Sequence, residues 1–270
     1  LFLMGGNRLL ASLVSGSALP IKKHGISGLV SSNGASGYDS GLGSDGDWLV
    51  AQNLTTDNAV TSPSGLGAKS WLSNGSSTII STDAGQIFPV DSDLTFITWI
   101  YSTSIETQAV ITSDDANAYF VVFLAGGGGA LEYIVKDGIG NQSGGESGFS
   151  FKADTWYMLA CTFDATAGTT VSYVYNAISG AKTTVKTTTN SNCNTVATND
   201  DWKMMYNTAE TFNGRILSPA IWNVILSSSD LDDLFNSGDG ATPDTVQKDK
   251  IVCYWDSQTG TASIQNLAIP

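Results

Sequence analysis

Only 12 Lys and Arg stand against 25 Asp and Glu in these 270 residues, a formal net charge of -13 that has the wrong sign for a phosphate backbone and excludes nucleic-acid binding. The length is ample for a sizeable core, and a hydrophobic fraction of 41% excludes wholesale disorder. With 29 glycines, frequent Ser, Thr and Asn and a charged fraction of 14%, the composition favours strands and tight turns, hence an all-β chain on an extracellular or particle surface.

Cys161, Cys193 and Cys253 permit at most one disulfide, so no disulfide framework is expected, and Cys161 is expected in a strand core. His24 is the sole histidine and no Cys-x-x-Cys pair exists, which excludes a structural zinc or a two-histidine centre. No apolar run approaches the roughly 18 residues of a membrane span. No cofactor is expected. Structural calcium has candidate acids in Asp45 with Asp47, Asp91 with Asp93, Asp114 with Asp115 and Asp200 with Asp201, but short acidic pairs on so acidic a chain ordinarily solvate turns, and no ligand set is assigned.

In chain order, Leu1 to Pro20 carries an apolar run after Arg8 broken by Ser12, Ser15 and Gly16, and is expected as an ordered arm rather than a signal peptide. Ile26 to Ser64 is Gly/Ser/Asn/Asp-rich, with room for one or two short strands. Gly41 to Leu49 echoes a calcium-binding nonapeptide, but that motif works by repetition and no second copy follows. Ser64 to Ser70, SGLGAKS, fails as a phosphate loop because Ala68 precedes Lys69 and strands, not a helix, follow.

Thr78 to Ile80 and Leu94 to Tyr101 are the next strands. The second has apolar residues on both faces, so it lies between layers, with Trp99 in the core. Ala118 to Leu124 and Ala130 to Lys136 flank four glycines and form a hairpin. Asp137 to Ser150 is expected as an exposed glycine-rich loop. Asp154 to Asp164 and Val171 to Ala177 alternate as strands, Leu159, Cys161 and Phe163 sharing one face. Thr183 to Thr189 is an exposed strand, and Asn190 to Asp201 a polar loop before Trp202.

Ile216 to Leu226 is β-rich, but Pro219 cannot donate to a ladder and Ile216 and Ile221 are out of phase, which demands a bulge near Ser218. Ser227 and Asp230 have capping-box spacing, so a short helix starts at Ser227. Leu231, Leu234 and Phe235 share its inner face, Asp230, Asp232 and Asp233 meet its dipole, and Gly238 supplies a left-handed stop. Barely two turns long, it must pack on the preceding sheet to exist. Ile251 to Trp255 is a further strand-like run, in a tail that adds a strand or binds a neighbour.

The closing segment, with Gly214, Ile216, Trp222, Asn223, Leu226, Ser227, Leu231, Leu234 and Gly238, resembles the end of laminin-G-like, concanavalin-A-like jelly-roll domains. LTFITWIY at Leu94 to Tyr101, and DTWYMLACTFD with VSYVYNA at Asp154 to Ala177, resemble that family's early and middle strands, although Ala177 stands where a turn glycine is usual. The resemblance covers Trp71 to Gly238. It implies a two-sheet jelly-roll sandwich with one short C-terminal clamp helix, divided as an N-terminal arm (1-25), the jelly-roll domain (26-238) and a C-terminal extension (239-270).

Gly6-Asn7-Arg8-Leu9-Leu10-Ala11 is similar to the leader of tailed-phage particle proteins. That likeness implies a non-enzymatic structural protein of the virion surface, on capsid or tail, homo-oligomeric and partnered by other virion subunits, with a host glycan as a further partner. The alternatives are a secreted extracellular lectin-like module and a glycoside hydrolase. Jelly-roll glycosidases resembling this fold carry Glu-x-Asp-x-x-Glu, whereas Glu106, Glu132, Glu146 and Glu210 are scattered here, so no catalytic residue is expected. Carbohydrate binding needs an exposed aromatic ring beside planar polar side chains, and Trp202 with Asp200 and Asp201 is the candidate.

Overall fold

The computed structural model describes residues 22–25, 36–39, 48–52, 55–57, 60–67, 70–74, 79–83, 92–113, 119–126, 129–194, 202–207, 210–256 and 261–264. Its strands form two large antiparallel sheets. In the ten-stranded sheet, Asn213–Trp222, Leu94–Ser102, Thr155–Asp164, Thr169–Asn176 and Lys182–Thr189 run side by side in that order. In the eight-stranded sheet the corresponding order is Gln142–Glu146, Ala130–Lys136, Tyr119–Ala125, Gln108–Ser113, Trp202–Met204 and Ile79–Asp83. The expected all-β jelly-roll sandwich is therefore the fold, and the arm expected over 1-25 lies largely outside the described residues.

Strand alternation builds two cores. Phe96, Ile100, Leu159, Cys161 and Phe163 point from the ten-stranded sheet toward Phe120, Val122, Leu124, Leu131, Tyr133 and Val135 of the other. The opposite face presents Ile97, Trp99, Met158, Leu217 and Trp222, which Leu231, Leu234 and Phe235 of the helix Ser228–Phe235 cover. Trp99 is stacked on Phe235, with ring centroids 5.7 Å apart and planes at 13°. Both faces of Leu94–Ser102 are thus buried, as the apolar residues on each of them require.

The helix starts where the spacing places it. Asp230 N–H donates to Ser227 Oγ at 3.1 Å, and Ser227 N–H donates to Asp230 Oδ2 at 2.9 Å. It stops sooner than expected, because Asn236 already adopts the left-handed conformation (φ 46°) and Gly238 (φ 101°) completes the reversal. Lys182 Nζ, 2.8 Å from Asp232 and donating to Ser228 Oγ at 2.6 Å, ties the helix to the sheet edge.

The bulge is also present. Ser218 has φ 49°, and the pairing with Leu94–Ser102 shifts between Leu217 and Ala220. There the other edge of the strand changes partner. Asn213 to Ile216 pair with Ser70–Asn74, whereas Ala220 to Trp222 pair with Ile251–Asp256. Pro219 falls in the gap, where no ladder bond is required of it. The tail after Gly238 accordingly contributes a strand to the sheet.

Two local expectations change. The glycine-rich connection after Asp137 is not all loop, since Gln142–Glu146 pairs with Glu132 to Lys136 as an edge strand. Gly144 makes the close approach possible: at φ 114°, a Cβ there would lie 2.0 Å from the Tyr133 carbonyl oxygen. The turn after Asn176 needs no glycine at Ala177, because Gly180 (φ 69°) takes the left-handed position. Asn176 Oδ1 accepts from Ile178 and Ser179 N–H at 2.9 Å.

Candidate ligand-binding face

The two outward faces of the sandwich differ. That of the ten-stranded sheet is largely occupied by the clamp helix and by Leu66 from the segment before Ser70–Asn74. That of the eight-stranded sheet keeps an accessible, charged corner. Leu131 and Tyr133 point into the inter-sheet core, so Glu132 between them points out. By the same alternation Val122 and Leu124 point in and Phe123 points out.

Register sets these outward residues in a row. Glu132 is directly opposite Glu146 on one side and Phe123 on the other, and Phe123 is opposite Ala109. Glu146 is exposed, whereas Glu132 and Phe123 are half-buried. Burial, and then the negative charges of Glu146 and Glu210, raise the Glu132 carboxyl above the ordinary glutamate range. Glu210 comes from the small hairpin of Tyr206–Asn207 and Glu210–Thr211. Of the four glutamates expected to be scattered, Glu146 and Glu210 are therefore both within electrostatic reach of Glu132. No periodic pattern along the chain announces this, because the glutamates meet only through hairpin register.

The predicted candidates fare differently. Trp202 begins an interior strand, its backbone flanked by Thr82 and Ser113. Asp200 and Asp201 lie outside the described residues, as do Asp45, Asp47, Asp91, Asp114 and Asp115. Asp93 has a structural role, accepting from Ala165 N–H at 3.1 Å. Trp71, where the family resemblance begins, is no ligand platform either, since it is wholly buried in the inter-sheet core. Among the described residues no group of His, Cys, Asp and Glu has the arrangement of a metal site, and no helix is long and apolar enough to cross a membrane.

A laminin-G-type family model described as the concanavalin A-like lectin/glucanases superfamily matches residues 74–232, more than half the chain. The chain belongs to this family. Domain 4 of AbnA, a GH43 extracellular arabinanase from Geobacillus stearothermophilus, solved with arabinotriose, is similar at 17% identity with a TM-score of 0.52, over 67% of this chain and 81% of that one. Full-length tailspike protein 2 of Escherichia coli O157:H7 bacteriophage CAB120 is similar at 12% identity with a TM-score of 0.55, over 81% of this chain and 31% of the tailspike. These likenesses show the family fold. No curated protein matches the sequence.

In this family setting the corner has a definite chemical capability. Two adjacent carboxylates can accept hydrogen bonds from a ligand's hydroxyls, and Phe123 is the outward-facing apolar side chain beside them.

Proposed function

We propose that the chain is a non-enzymatic glycan-contacting module of a bacteriophage virion surface, assembled with other virion subunits through its N-terminal arm. The observation that carries the glycan part is the row Glu146, Glu132, Phe123 on the outward face of the eight-stranded sheet. Sugar hydroxyls satisfy the carboxylates, and the C–H face of the sugar ring covers Phe123. The family contains lectins by name, and one structure of the same fold holds arabinotriose. The virion part is supported by the leader Gly6 to Ala11 and by the occurrence of this fold within a phage tailspike.

Two experiments test the parts separately. On a glycan array the intact chain binds a defined set of glycans, and Phe123→Ala or Glu132→Gln with Glu146→Gln abolishes that binding; an array blank for the intact chain overturns the glycan reading. Added to particles stripped of it, the intact chain docks and a chain lacking Leu1 to Lys23 does not. If glycan binding is retained while neither form docks, the protein is a secreted lectin instead.

The facing pair Glu132 and Glu146 also favours a second reading, hydrolysis. Directly opposed strand positions hold Cβ atoms about 5 Å apart, and a retaining glycosidase needs carboxyl groups separated by about 5 Å with one pKa raised to serve as the acid. Glu132 would be that acid and Glu146 the nucleophile. Turnover of a polysaccharide that disappears in Glu132→Gln and in Glu146→Gln establishes this reading; binding without turnover disposes of it.

A further inference from the structure

The ten-stranded sheet ends on one side at Lys182–Thr189, which pairs with Thr169–Asn176 and has no strand on its other edge among the described residues. Its sequence, KTTVKTTT, is rich in Thr and holds neither Gly nor Pro, a composition that suits pairing with a further strand. The end of the strand is also well fixed. The Ser143 hydroxyl donates to the Thr188 carbonyl at 3.1 Å, and the Asn190 side-chain amide donates to the Gln142 carbonyl at 2.9 Å. An ordered open edge of this kind is a template for a second copy of the chain unless something blocks it.

Two features stand in the way, and both centre on Lys186. Ser172 is opposite Lys186 and Tyr173 is opposite Thr184, so the register slips and Val185 is an extra residue in the edge strand. Val185 packs against the inter-sheet core, and Ser172, 1% exposed, lies on that inner face two residues before the core residue Val174. Lys186, opposite Ser172, therefore starts from the inner face and is half-buried at the rim of the sandwich. Its ammonium reaches water past the open edge. Lys182 has its charge taken up by Asp232 at 2.8 Å, whereas Lys186 has no ion-pair partner among the described residues. A strand laid along this edge would cover an uncompensated charge and meet a ladder broken at Val185.

Charge distribution points the same way. At the opposite end of the sheet's main run lies Lys22–Gly25, KKHG. Lys22, Lys23, Lys182 and Lys186 are four of the chain's 12 Lys and Arg, and no acid falls on either strand, although acids outnumber bases two to one overall. Any edge-to-edge contact between copies through this sheet thus brings like charges together. Two-fold pairing centred on Thr184 sets Lys182 opposite Lys186 across the contact, and pairing centred on Lys186 sets ammonium against ammonium. We propose that Lys186, with the bulge at Val185, guards this edge against antiparallel addition of a second copy, so that copies of the chain meet through other surfaces.

The test is sedimentation equilibrium on the full chain and on Lys186→Thr, Lys186→Val and Lys186→Arg over a wide concentration range. The two uncharged variants associate about tenfold or more tightly than wild type, while Lys186→Arg, which keeps the charge, matches it. Hydrogen exchange locates the contact: amides of Thr183 to Thr189 gain protection with rising concentration in the uncharged variants and in neither wild type nor Lys186→Arg. Wild-type association in both uncharged variants overturns the proposal, as does tighter association without protection along this strand. The wild type tests it even where a variant fails to fold, because protection at Thr183 to Thr189 that grows with its own concentration would show the edge already in use.

Discussion

Glu132 is where burial and charge work in the same direction. The carboxyl is half-buried with two like charges nearby, so its folded-state pKa lies above the ordinary value that the unfolded chain retains. Between those two values the folded state binds more protons than the unfolded state, and stability falls as pH rises through that window. Above the window the loss is complete and constant. Glu132→Gln removes it, so the variant gains on wild type from acid to neutral pH. Urea midpoints at both ends of the window check this; a difference independent of pH contradicts it. Sequence alone gives Glu132 no such distinction, because its neighbours are supplied by a facing strand and a remote hairpin.

At the scale of the element, the clamp helix was legible because capping is local. Ser227 and Asp230 are three residues apart and need no distant partner to satisfy the first turn's N–H groups. Ser227→Ala should destabilise the protein by about 1 kcal/mol, read as a lowered urea midpoint with unchanged slope. The bulge at Ser218 was legible for the same reason, since a proline and a break in alternation within one strand report it. The edge strand Gln142–Glu146 was not. Glycines 144 and 145 mark turns in most settings, and only the close approach to Tyr133 shows that here they let a strand pack.

At the scale of the molecule, the tail after Gly238 is joined to the sandwich by more than a strand. The Trp222 indole N–H donates to the Val246 carbonyl at 3.1 Å, and Val246 and Ile251 pack in the outer core beside the clamp helix. A chain ending at Gly238 would expose Trp222 and unpair the edge at Ala220 to Trp222. It is expected to unfold at a lower temperature and to aggregate, as measured by light scattering during a thermal scan; a soluble, cooperatively folded product with the wild-type midpoint overturns this.

The sequence by itself determined the alternating strands, the Ser227 cap, the Ser218 bulge and, through three motifs in order, the family. Each of these rests on contacts within a few residues or on a period that repeats along the chain. Only the tertiary structure decided that Glu132 faces Glu146 and lies near Glu210, that Lys186 is opposite Ser172 beside a bulge, and that Trp71 is core. Cross-strand neighbours are fixed by register, and a shift of one residue would send every side chain to the other face. Register comes from the whole sandwich closing over its core, a sum of many burials that no single stretch of sequence displays.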